Sequence, residues 1–215
     1  MSEPADLPAA AASDPRWGDL DADPALASAV LEIEGHLADG GWDQPARLYA
    51  LVDTLELAAQ EPALASAMGL DAAAELGSLT AVEQDQLDHS QPFEQVLESI
   101  VWPTGVVGCA AMVERLVLPP GSDGELPADP VAARAFAREH PHRQEVRIVA
   151  GVTRSGSTYC ALRMRSHDDA TSVVGSVDLV PGLLALLQAT LLDEQDQQEH
   201  MHDETAPTEP LEENP

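Results

Sequence analysis

The chain has 215 residues and carries 38 acidic against 10 basic residues, a formal charge of −28. That length supports one well-buried core, and that charge excludes general binding to nucleic-acid phosphates or to an anionic lipid surface. Hydrophobic residues make up 44% and aromatics only 3%, so the core must be built from Leu, Val, Ala and Ile, with little left for an aromatic ligand cage.

The opening Met1-Ser2-Glu3-Pro4-Ala5-Asp6 has neither a basic nor an apolar signal region, and residues 1–22 read as a disordered leader rich in Ala, Pro and Asp. A single domain is expected over residues 23–192. Asp23 caps a first helix with Pro24 at its first position. Leu26, Val30, Ile33 and Leu37 then form its apolar stripe, and Gly40-Gly41 stops it. Arg47 to Val52 reads as a strand, Thr54 to Met68 as a helix, and Ser78 to Gln84 as a further strand. A helix starting near Ser90 to Pro92 places Phe93, Val96, Leu97, Ile100 and Val101 on one face, and Pro103 ends it at Trp102. Val106 to Leu118 reads as a long buried strand. Asp129-Pro130 opens a helix that His140-Pro141 closes, and Gln144 to Ser166 forms a β-hairpin around Ser155-Gly156-Ser157. A short strand at Thr171 to Ser176 and a helix from Leu179 to Leu192 complete the domain. The apolar run 179–192 is too short to span a bilayer. From 193 to 215 the chain carries nine acidic residues and no Lys or Arg, an acidic disordered tail by composition. This order implies an α+β fold, mainly an antiparallel sheet of about five strands with helices packed on one side. A doubly wound parallel sheet is the rival arrangement.

The hairpin carries the most information about chemistry. An odd loop of three or five residues puts Val146, Ile148, Ala150 and Val152 on one face with Cys160, Leu162 and Met164. The opposite face then gathers Arg147, Arg163 and Arg165 near Tyr159. Charge is unevenly spread: residues 134–165 hold seven arginines and two acids, whereas residues 26–112 hold fourteen acids and one arginine. The arginine face either pairs with carboxylates of the same molecule or recognises an acidic partner or an anionic small molecule, since guanidinium forks match carboxylate and phosphate. Trp42, beside Gly40-Gly41, either plugs the end of the core or anchors a partner.

Other features point away from catalysis. Cys109 and Cys160 are expected to be buried free thiols. His140-Pro141-His142 and His200-Met201-His202 lack further metal ligands, and His167-Asp168-Asp169 reads as a polar turn. There is no nucleophile elbow, Walker loop or dinucleotide fingerprint. No catalytic residue, metal site or cofactor is therefore expected.

Three stretches carry a resemblance. They are Gly41-Trp42-Asp43-Gln44-Pro45 running into Arg47 to Val52, Gln91-Pro92-Phe93-Glu94 through Val101-Trp102-Pro103, and Asp178 to Leu183. Over about residues 23–192 the chain resembles a small family of uncharacterised actinobacterial cytosolic proteins, to which no activity is attached. Its element order is also loosely similar to secretion-chaperone-like domains, an analogy of fold alone. The resulting expectation is a cytoplasmic, non-enzymatic interaction, regulatory or chaperone-like domain that binds a protein partner or itself. The alternative is an enzyme or ligand-binding domain that recognises an anionic small molecule through Arg147, Arg163 and Arg165.

Overall fold

Asp23 opens the first helix as its sequence requires: its carboxylate accepts from the amides of Ala25 and Leu26 at 2.9 and 3.2 Å. In this computed structural model the described residues are 22–192, except 68, 71–75, 85, 86, 88, 89 and 120. The acidic tail and, apart from Ala22, the leader therefore lie outside the described residues. Helix α1 (Pro24–Asp39) buries Leu26, Val30, Ile33 and Leu37, the expected stripe, together with Ala29 and Glu34. Strand β1 (Arg47–Asp53) follows. The single helix expected over 54–68 is divided into α2 (Thr54–Gln60) and α3 (Pro62–Ala67). Glu61 leaves helical geometry between them, because a proline disfavours it in the residue before.

Strand β2 (Leu79–Glu83) leads to α4 (Phe93–Glu98), which stops short of Trp102. Ser99 closes it, its hydroxyl donating to the Val96 carbonyl at 2.8 Å. Trp102 instead reaches across the domain, and its indole N–H donates to Thr190 Oγ1 at 3.0 Å. Then come β3 (Gly108–Val117), α5 (Pro130–Glu139), β4 (Gln144–Thr153), β5 (Thr158–Met164), β6 (Val174–Ser176) and α6 (Pro181–Leu191).

The six strands form one sheet in the order β2-β1-β3-β4-β5-β6, every neighbouring pair antiparallel. The fold is α+β with an antiparallel sheet, as the hairpin and element order imply. The β4–β5 register is the odd one: Val146 faces Met164, Ile148 faces Leu162 and Ala150 faces Cys160.

Helices cover both faces of the sheet, where the sequence suggested one. Leu48, Ala50, Cys109, Ala111, Ile148, Ala150 and Cys160 share a core with Leu184 and Leu187 of α6 and Phe93 and Leu97 of α4. The alternate residues Tyr49, Leu51, Ala110, Met112, Val149 and Ala161 share another with α1. Side chains alternate along a strand, so these are opposite faces. The central strands are apolar on both, and each buried Leu or Val contributes about 1.5–3 kcal/mol, so two helical layers are needed. Gly151 lets α1 sit close: a Cβ there would lie 2.6 Å from Val30 and 3.0 Å from Leu26.

Candidate functional site

The polar residues of the α1 face gather where β3, β4 and β5 extend past β1. Antiparallel register sets Glu114 beside Arg147 and Arg147 beside Arg163, a charged row crossing three strands. Arg147 is fully buried and Arg163 is 4% exposed, so the row is part of the interior. Charges taken out of water need partners, and each arginine has them. Arg163 donates from Nε and Nη2 to both carboxylate oxygens of Glu34, at 2.6 and 2.7 Å. Glu34 is itself 2% exposed. Arg147 donates from Nη2 to Glu114 at 2.9 Å and to the carbonyl of Gly41. Arg165 grips Asp43 with two bonds of 2.9 Å and reaches Glu145 at 2.6 Å.

The α1–β1 loop closes over this row. Gly41 takes a positive φ of 76° and Asp43 one of 65°, a turn in which Asp is among the few tolerated side chains. Gln44 holds the turn by donating to the carbonyls of Leu37 and Gly41 at 2.9 and 2.7 Å. The Asp43 amide donates to Glu114 at 2.8 Å. Trp42 is thereby laid over the guanidiniums, its ring 4.7 Å from Arg147 Cζ and 5.7 Å from Arg165 Cζ. Both distances allow cation–π attraction. Its indole N–H donates to Asp168 at 2.9 Å, and Asp168 also lies 3.5 Å from Arg163.

The electrostatics follow from these contacts. Hydrogen bonds from Arg165 hold the Asp43 carboxyl below the usual carboxylate range. Glu34 raises the Arg163 pKa through its hydrogen bonds. Burial raises that of the Tyr159 phenol, and the Tyr159 ring covers Gly175 of β6.

The structure thus brings together Arg147, Arg163, Arg165 and Trp42, but as a clasp rather than an open surface. Arg147, Arg163 and Tyr159 are buried and Trp42 is half-buried. Of the two readings of the arginine face, these contacts match the first: all three guanidiniums are engaged by carboxylates of the same chain. Five of those surround them: Glu34, Asp43, Glu114, Glu145 and Asp168. The Gly-Trp-Asp-Gln-Pro segment of the resemblance is the lid of this clasp.

A family model matches residues 26–192, from the first turn of α1 through α6. The chain belongs to the PPA1309-like protein family. That family is uncharacterised, and its matched region coincides with the described domain, so the clasp and both helical layers are family territory. No curated protein and no solved structure matches the chain.

Among the described residues, no three His, Cys, Asp or Glu side chains are placed to hold a metal ion. No helix among them is long and apolar enough to cross a membrane. His200 and His202 lie outside the described residues. Asp169 is a turn residue, accepting from the Thr171 amide at 3.0 Å. Cys109 and Cys160 are buried free thiols, each pushed up to about 11, chiefly by burial.

Sequence reasoning missed Glu34 and Glu114, the acids that hold the buried arginines. The signal for Glu34 was its place one turn after Val30 and beside Ile33, on the apolar stripe. It also missed α5. Asp129 caps this helix, accepting from the Ala132 amide at 2.8 Å. Its inner side rests half-buried on Ala133, Phe136 and Ala137, while Val131, Arg134, Ala135 and Arg138 form an exposed outer stripe. Arg143, four residues past its end, is also exposed.

Proposed function

We propose that this member of the PPA1309-like family is a cytosolic, non-catalytic interaction domain, of an adaptor or regulatory kind, from an actinobacterial source. It engages an acidic protein partner, a second copy included, through the outer stripe of α5. One observation carries this reading. Of the nine arginines in the described residues, six are held by carboxylates or carbonyls of the domain: Arg47, Arg115, Arg147, Arg154, Arg163 and Arg165. Among the described residues, the side chains of Arg134, Arg138 and Arg143 make no hydrogen bond or ion pair. In a chain where acids outnumber bases 38 to 10, three exposed cations, two a turn apart on α5 and one just past its end, leave open a surface suited to carboxylates. Arg134 acts on Glu94 only from a distance, as a minor influence lowering that carboxyl's pKa.

The reading of Arg147, Arg163 and Arg165 as an anion site has less support. An incoming anion would have to displace carboxylates already bonded to them, inside a cluster where acids outnumber guanidiniums.

The test uses fluorescein-labelled poly-L-glutamate and light scattering on the full chain. At low salt the wild type should bind the polymer. Binding should vanish near 0.5 M salt, where the screening length falls to about 4 Å, and in the Arg134→Glu, Arg138→Glu, Arg143→Glu variant. A chain that stays monomeric and ignores the polymer at every salt concentration contradicts the proposal.

A further inference from the structure

We infer that the resting occupant of the α5 stripe is the acidic segment 193–215 of the same chain, so that a partner binds there by exchange. The inference rests on reading α5 as a docking face, and it names what that face holds when no partner is present.

Charge complementarity supplies the first support. Residues 193–215 contain nine carboxylates and no Lys or Arg, the composition that Arg134, Arg138 and Arg143 fit. A separate acidic protein must approach against the field of a chain at −28, which slows encounter between like-charged bodies. A segment of the same chain arrives already tethered, so its binding is intramolecular and its effective concentration is raised.

Reach supplies the second. Arg154, in the β4–β5 turn, donates to the carbonyl of Leu191, so the last turn of α6 lies at that end of the sheet. Helix α5 lies at the opposite end, because it ends at Glu139 and β4 starts at Gln144. Ten residues of β4 separate the two ends, about 34 Å at the usual rise. The 23 residues 193–215 extend to at most roughly 75 Å, so the distance is covered with chain to spare.

Third, the face has an apolar foothold as well as charge. Val131 is 73% exposed in line with Arg134 and Arg138, and Met201 and Leu211 are apolar residues interspersed among the acids of the segment. An apolar anchor ringed by ion pairs is a usual composition for a peptide-binding helix face.

The experiment is paramagnetic relaxation enhancement on the full-length chain carrying Thr208→Cys with a nitroxide. The native thiols are buried and protonated, so the label goes to the new cysteine. At low salt the amides of α5 should lose their signals while those of α1 keep theirs. The signals should return near 0.5 M salt and in the Arg134→Gln, Arg138→Gln, Arg143→Gln variant. Added poly-L-glutamate should also restore them by displacing the segment. Nitroxide-labelled chain mixed with isotope-labelled, nitroxide-free chain should show no broadening; broadening there assigns the segment to a second copy and overturns same-chain occupancy. Unbroadened α5 signals that still shift with poly-L-glutamate overturn the segment and leave the docking face standing. Unbroadened signals that ignore the polymer overturn both.

Discussion

Arg163→Ala is expected to lower the unfolding free energy by about 3–5 kcal/mol, the usual consequence of removing one member of a buried pair. The reason lies with Glu34. It is 2% exposed and spends both oxygens on Arg163, so the substitution leaves a carboxylate in the α1–sheet interface without its donors. A double change, Glu34→Leu with Arg163→Met, should recover most of the loss, because well-packed apolar replacements of buried ion pairs are often neutral or stabilising. Urea unfolding of Glu34→Leu, Arg163→Met and the double variant measures the coupling. Full stability in Arg163→Ala would show that the pair is open to water and that the clasp is misread.

Arg147→Ala is expected to cost about 3 kcal/mol and, unlike Arg163→Ala, to release the α1–β1 loop. Arg147 is the centre of the row: it binds Glu114 from the next strand and the carbonyl of Gly41, and it lies beneath Trp42. Without it the Gly41 carbonyl keeps only Gln44 as a donor, and Trp42 loses the nearer of its two cations. The readout is the Trp42 indole N–H, which should shift and exchange faster with solvent as its bond to Asp168 weakens. An indole signal unchanged by Arg147→Ala would place the hold on the loop elsewhere, with Arg165 and Asp43.

How much of this was legible in the sequence depends on whether a contact is local. The α1 cap and stripe, the β4–β5 register and the start of α5 follow from spacing and from proline position, and the structure has each of them. Proline marked the break at Pro62 as well, but the Leu- and Ala-rich composition on either side concealed it. The second helical layer went unread because the side of the hairpin that carries Arg147 and Arg163 also carries Val149 and Ala161, two apolar residues the sequence reading did not name. Glu34 and Glu114 could not be matched to Arg163 and Arg147 without knowing that α1 crosses β4 and β5 and that β3 pairs with β4. Those pairings are long-range, and charge counts along the chain register only that arginines and acids are unevenly divided.

That uneven division proves to have two parts with different consequences. Arg147 and Arg163 are spent inside the domain, and Arg165 on its rim, closing a loop that the family match includes. Arg134 and Arg138 are left over on the outer side of α5 and Arg143 just past its end, with no carboxylate of the described residues bonded to them. The first group holds the domain's own elements together, and the second forms the proposed docking face.

Modification of the full chain with phenylglyoxal, read residue by residue by mass spectrometry, tests that division most directly. It is best done near 0.5 M salt, where acidic segments are screened away from the surface. Arg134, Arg138 and Arg143 should react early, and Arg147 and Arg163 only when the protein unfolds. Early modification of Arg147 or Arg163, or protection of the α5 arginines under these conditions, would contradict the account.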